Sequence, residues 1–259
     1  PLYEEGESAA NSEATSDRFL AEPIVQRSHD IFIAMLSYSD LTKDSAPLAS
    51  WWYRDKVIRG QIRAAARAGK PLGLFHGRGG PFTRGGGPTN HLLNSLPPES
   101  IQGGAPVRTT EQGEVVIQNW SNPLTGLFNA EQWLAGAMFF AAAGERIPDH
   151  DEDFVAIMDD LADWSRDFYI EELIRQDGYF DFFGFVTPEV SVFANRGSRA
   201  AVRAKTVATD PLKRIRMIEW TSCWSQARFY TPGLFAFGFA ICKLHDEDKP
   251  RFDRFIKMA

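Results

Sequence analysis

The chain has 259 residues, 44% of them hydrophobic and 24% charged, and a net charge of −6. That is enough chain and apolar content for one large domain or two small ones, and it excludes a disordered arginine–glycine tract, which would be apolar-poor. The acidic balance argues against bulk binding to nucleic acid, so any anion site has to be a local basic pocket.

In chain order, residues 5–18, EGESAANSEATSDR, are small, polar and acidic and read as a loop. IFIAMLSYS, residues 31–39, is a near-continuous apolar run of strand length and predicts a buried strand. Residues 45–69 follow a helical period, with Leu48, Trp51, Trp52, Ile58, Ile62 and Ala66 on one broad face. Pro47 suits the first turn of that helix and Gly69 the position just past its end. PLGLF, residues 71–75, predicts a second buried strand. Strand, amphipathic helix, strand is a βαβ unit, which implies parallel strands and an α/β architecture. Residues 107–118 read as a loop and short strand, and 124–144 and 150–175 as long helices. Asp149, Asp151, Glu152 and Asp153 crowd the start of the second of these. A calcium loop would need glycine where Phe154 stands, so the acids read as partners of a helix N-terminus. Residues 219–244 predict a buried helix broken near Pro232, and 245–259 a charged, solvated tail.

Two cysteines, Cys223 and Cys242, without a CxxC spacing, give neither a disulfide framework nor a zinc site. A reducing cytoplasm is the expected compartment. No apolar run approaches the ~20 residues of a membrane span, and no signal-peptide pattern opens the chain.

In α/β folds ligands gather outside the carboxyl ends of the parallel strands. The first strand ends in YSDLTKD, which supplies Asp40, Lys43 and Asp44. The second runs into FHGRGGPFTRGGGPTNH, residues 75–91, which supplies His76, Arg78 and Arg84 on glycine-rich chain. Glycine lets backbone approach a ligand closely, and arginine offers a fork that matches carboxylate or phosphate. No GKS/T follows, so this is not a P-loop. Glu4, in the opening PLYEE, is a third carboxylate at a strand end; with Asp40 it would suffice for a hard divalent cation, although acids in loops are usually just solvated. Arg199, Arg203 and Arg216 form a second basic group that reads equally as surface charge. From the residues alone, the reading reaches an α/β domain with an anion-binding, metal-compatible site.

Several of these segments, in this order, resemble phosphoenolpyruvate carboxylases. MLSYSDLTKDSA is similar to that family's YSDSxKDAG segment, LFHGRGGPFTRGGGPT to its FHGRGGxxxRGGGP loop, and SLPPESIQGGAPVRTTEQGEVV to its SQPPxxxxGxxRxTxQGE. FVTPEV, NRGSRAAVR and RMIEWTSCWSQARFYTPGLFAFG look like later family segments, and PLYE like a flanking one. The resemblance implies a helix-rich, TIM-like α/β barrel, with residues 1–244 supplying part of its strands. It implies Mg²⁺ or Mn²⁺ held by Glu4 and Asp40, and His76 and Arg78 over the bicarbonate-derived group. Arg84 would sit on the glycine-rich loop with Gly79 and Gly80, Lys43 nearby as a cation, and Arg199, Arg203 and Arg216 on substrate oxygens. The implied reaction is carboxylation of phosphoenolpyruvate by bicarbonate to oxaloacetate and phosphate, as part of a larger enzyme. A short homologue acting on a related phosphorylated or keto acid, or a non-catalytic assembly subunit, is the alternative.

The departures are specific. Ala46 stands where the family motif has glycine, Pro81 and Phe82 occupy the glycine-rich loop, and Ala200 and Glu219 replace prolines. The family enzyme is several times longer, so the chain is expected to be a fragment, its opening PLYE falling inside a barrel strand segment. It is expected to work with a missing N-terminal half or as a homo-oligomer, and not to complete carboxylation alone.

Overall fold

The computed structural model describes residues 1–28, 30–80, 86–102, 105–111, 113–143, 150–186, 212, 220 and 234–258. They form a helix-rich α/β structure around one four-stranded sheet. The strands are β1 (Leu2–Tyr3), β2 (Phe32–Ser37), β3 (Leu72–Gly77) and β4 (Arg108–Thr109), in that order across the sheet and all parallel. The expected βαβ unit is therefore present, and the sheet extends it by one short strand on each side. Among the described residues the sheet has four strands, so it is compatible with part of a barrel.

Contacts divide the chain into two units, Pro1–Leu41 with Trp51–Asp151, and Thr42–Ser50 with Glu152–Ala259. The first holds the sheet. Alternate residues of β2, Phe32, Ala34 and Leu36, pack with Leu72 and Leu74 of β3 and with Tyr3, Leu20, Val57 and Ile58. Both faces of such a strand meet apolar neighbours, which is why β2 reads as an unbroken hydrophobic run.

α4 (Ser39–Arg67) follows β2 and is interrupted only at Ala46, where φ is 65° and ψ 166°. Proline disfavours the helical region for the residue before it, so the break falls directly ahead of Pro47. The helix then runs from Pro47 to Arg67, and Gly69, at φ 64°, takes the left-handed position that ends it. Start and stop agree with the sequence expectation.

Residues 5–18 are helical rather than a loop: α1 covers Gly6–Ala10 and α2 Ser12–Ala21. Their support is tertiary. Ser12, Ser16 and Leu20 share a buried face. The Tyr3 hydroxyl donates to the Ser12 carbonyl and shares a 2.6 Å hydrogen bond with the Ser16 hydroxyl, which donates in turn to Gln61 Oε1. Outside, Arg63 pairs with Glu13, and Arg67 with Glu13 and Asp17. A polar segment with weak periodicity is thus held by partners about 50 residues away. This network also fixes β1 and the residue that follows it, Glu4.

α3 (Pro23–Ser28) leads into β2, and α5 (Thr89–Asn94) and α6 (Glu99–Gln102) lie between β3 and β4. After β4, α7 (Gly113–Trp120) replaces much of the expected loop, and α8 (Pro123–Ala143) follows as expected. No described helix is long and apolar enough to cross a membrane.

In the second unit, α9 (Glu152–Tyr169) continues as a π-helical turn, Ile170–Ile174, and α10 covers Tyr179–Val186. Glu152 and Asp153 occupy the first turn of α9, as the charge pattern predicts. α11 (Phe237–Glu247) packs Ala240 and Leu244 against Ile157 and Leu161 of α9. The charged end of the chain is helix α12 (Lys249–Met258), with Phe154 and Phe255 stacked at 6.1 Å and Arg251 paired to Asp160. Phe252, Phe255 and Ile256 sit among its charges, which gave residues 245–259 the look of a solvated tail. A second cluster gathers Ala46, Tyr169, Ile174, Tyr179, Leu212, Trp220 and Ala236.

Candidate active site at the strand ends

The carboxyl ends of β1, β2 and β3 bring four of the sequence-predicted residues to one edge of the sheet. Tyr3 pairs with Leu36, and Leu36 with His76, so the three strands end in register. Glu4 follows β1 directly and is exposed. Asp40 is half-buried in the first turn of α4, just beyond β2. His76 is the fifth residue of β3 and completely buried, and Arg78 is the first residue past that strand. Neighbouring parallel strands lie roughly 4.8 Å apart, so carboxylates leaving adjacent strand ends are within reach of one cation. Among the described residues no group of three or more His, Cys, Asp or Glu side chains forms a metal cluster. Two carboxylates suit a cation that keeps several waters and takes further oxygens from a substrate.

His76 Nδ1 lies 2.8 Å from the Tyr38 hydroxyl. Burial, with the Arg54 and Arg78 guanidinium groups nearby, lowers the His76 pKa to about 3, so the ring is neutral at pH 7. Burial likewise raises Tyr38, which keeps its proton. Where the phenol donates to Nδ1, the imidazole proton sits on Nε2. That nitrogen is buried and has no hydrogen-bond partner among the described residues.

Three more buried polar atoms at the same edge share this condition: Ser37 Oγ at the end of β2, Arg78 Nη1 past β3, and Glu111 Oε2 two residues past β4. Buried polar groups normally find partners, and unmatched ones carry a cost of about 1–3 kcal/mol each. Four at the ends of consecutive strands mark a place where a polar ligand or further chain completes the bonding.

Arg78 is anchored from its other side, Nη2 donating to the Gly87 carbonyl at 2.8 Å. Gly80 and Gly86 approach so closely that a Cβ on Gly86 would fall 1.7 Å from the Gly80 oxygen. Only glycine permits that contact, which gives one physical reason for the glycine richness of the segment. Gly79 is buried and Gly80 exposed beside it. Lys43, in the second unit, reaches the Leu212 carbonyl at 3.4 Å. Arg84, Arg199, Arg203 and Arg216 lie outside the described residues.

The sequence model for phosphoenolpyruvate carboxylase matches residues 1–259. The chain belongs to the phosphoenolpyruvate carboxylase family. It is similar to the phosphoenolpyruvate carboxylase of Aromatoleum aromaticum, at 36% identity over 93% of this chain and 26% of that protein. The Ralstonia nicotianae enzyme of the same name is 34% identical over 95% of the chain, and that of Mycobacterium avium 32% over 93%, each again over 26% of the relative. The chain thus spans about a quarter of the length of the curated relatives it matches.

Sequence reasoning missed Tyr38, Arg54, Ser37 and Glu111. Tyr38 and Ser37 stand inside the carboxylase-like MLSYSD segment, next to a residue that was singled out, so their place was readable. Glu111 sits in the TTEQGE segment, equally within reach. Arg54 gave no local signal. It belongs to the helical WWYRD stretch and meets Tyr38, Cζ 4.0 Å from the ring centroid, only because α4 folds back along β2.

Proposed function

We propose that this chain carries substrate-facing strands of a phosphoenolpyruvate carboxylase, which joins bicarbonate to phosphoenolpyruvate to give oxaloacetate and phosphate. The sheet would be part of a TIM-like barrel completed by the rest of the enzyme, with residues 1–244 as the catalytic part. The observation that carries the reading is the row of unmatched buried polar atoms at the ends of β2, β3 and β4, beside two carboxylates and an arginine. Exposed apolar side chains on α7 and α8, among them Ile117, Leu124, Phe128, Leu134, Met138 and Phe139, are consistent with further protein packing there.

Glu4 and Asp40 would hold Mg²⁺ or Mn²⁺, which supplies neutralisation of charge developing on substrate oxygens. His76, neutral and with a pKa near 3, is a poor general base and acts as a fixed hydrogen-bond donor. Its N–H and the free Nη1 of Arg78 would bind oxygens of the bicarbonate-derived group without reorganising as charge accumulates there. Arg84, Arg199, Arg203 and Arg216 would add the positive charge that an anionic substrate pair needs, and Lys43 would contribute nearby.

Electron paramagnetic resonance of Mn²⁺ titrated into the chain tests the metal half. Binding should weaken about tenfold, or ~1.4 kcal/mol, in Asp40→Asn and in Glu4→Gln. Bound Mn²⁺ should broaden the phosphorus resonance of added phosphoenolpyruvate, and less so in Arg78→Ala. Mn²⁺ binding indifferent to both carboxylates would overturn the assignment.

A further inference from the structure

We propose that Arg54 is a positioning residue which, acting through the ring of Tyr38, holds His76 in the tautomer that carries its proton on Nε2. The inference rests on His76 as a residue of the site described above, but its test reads the imidazole directly and needs no turnover.

The Arg54 guanidinium lies over the Tyr38 ring, Cζ 4.0 Å from the centroid. Withdrawal from water disfavours its charge, so its place there is supported by the electron-rich ring face it covers. A cation on that face draws electron density from the phenol and makes its O–H a stronger donor. The nearest ring nitrogen to that hydroxyl is His76 Nδ1, 2.8 Å away. A phenol that donates to Nδ1 leaves the single imidazole proton on Nε2. The same positive charge, with Arg78 on the other side, opposes a second proton on the ring. Arg54 therefore favours one of the three forms available to His76, and that form presents a donor where a buried nitrogen has no partner among the described residues. An arginine that merely filled space would leave the choice between tautomers to the histidine, whose ring is symmetric enough to accept either.

The experiment is a long-range proton–nitrogen correlation spectrum of the imidazoles at pH 7.5, with His76 assigned by His76→Asn. The intact chain should show two widely separated ring-nitrogen shifts for His76, with the protonated nitrogen being Nε2. In Arg54→Ala and Arg54→Gln that separation should collapse toward an averaged pair as the second tautomer is populated. In Tyr38→Phe it should collapse as well, and adding Arg54→Ala to Tyr38→Phe should change nothing further. His91 and His245, on other elements, should keep their signals and report that the variants fold. An unchanged His76 pattern in both Arg54 variants would overturn the proposal, as would an Arg54 effect of equal size with and without the Tyr38 hydroxyl. Loss of the fold in both variants would also overturn it, in favour of a purely structural role.

Discussion

The Tyr38 hydroxyl and His76 Nδ1 form a 2.8 Å hydrogen bond between the residue that ends β2 and a residue inside β3. The two rings are tilted at 56° with centroids 6.1 Å apart, so they meet through this bond rather than by stacking. Both side chains are buried, which makes the bond a structural constraint as well as a chemical one.

Tyr38→Phe should therefore cost more than a surface hydroxyl. It leaves Nδ1 buried without its partner, a loss of about 1–3 kcal/mol. Urea unfolding of the variant should show a lower midpoint with an unchanged slope, since the surface exposed on unfolding is the same. A midpoint equal to that of the parent would mean that water or another group replaces the phenol.

His76 should make stability depend on acid. Its folded pKa is about 3, below the ordinary 6.5, so between these values the unfolded chain binds more protons. The contribution is fully present above about pH 6.5 and is lost as pH falls, by up to ~1.4 kcal/mol per pH unit through that window. Unfolding free energies from pH 7 to pH 4.5 should fall more steeply for the parent chain than for His76→Gln. Parallel curves would show that the ring is accessible to protonation in the folded state.

The parts legible in the sequence are those whose signal is local. Phe32–Ser37 and Leu72–Gly77 are apolar runs with burial on both faces, and Pro47 and Gly69 punctuate their helix where the backbone demands it. Glu4, Asp40, His76 and Arg78 were found by motif and by the habit of parallel sheets of placing ligands at strand ends. α2 was hidden because its stability comes from Tyr3, Gln61, Arg63 and Arg67, which a window over 5–18 does not contain. Arg54 was hidden for the same reason, since its partner ring stands 16 residues earlier in the chain and across a strand–helix turn. Periodicity sees one element; these groups act between elements.

Gly86→Ala tests the close approach beside Arg78. The added methyl would meet the Gly80 carbonyl at a distance no real contact adopts, so one of the two backbones has to move. Overpacking of this kind costs about 1–3 kcal/mol. Gly113→Ala, where nothing lies within 4 Å of the new methyl, is the control and should be neutral or slightly stabilising at the start of α7. Thermal melts of the two variants should separate, Gly86→Ala falling below Gly113→Ala.

Ala46 offers a substitution expected to stabilise. Its φ of 65° and ψ of 166° fall in a region that is essentially glycine's alone, and residues with a Cβ held there carry about 1–3 kcal/mol of strain. The surroundings that hold it are Pro47, which rejects a helical predecessor, and the buried cluster of Tyr169, Ile174 and Tyr179 that packs against its methyl. The carboxylase-like motif has glycine at this position, the residue the backbone calls for. Ala46→Gly removes the strain but also a buried methyl, worth about 0.8 kcal/mol, and loosens the unfolded chain by up to ~1 kcal/mol. The two effects oppose, and with strain in the upper half of its range the relief wins by about 0.5–1 kcal/mol. Urea midpoints of Ala46→Gly above the parent would bear this out. A clear drop would show that packing against Tyr169 and Ile174 holds more energy than the backbone stores as strain. Ala46→Val discriminates further: a branched side chain at this φ should destabilise by well over the cost of its extra methyls, because the added bulk meets both the strained backbone and a fully buried site.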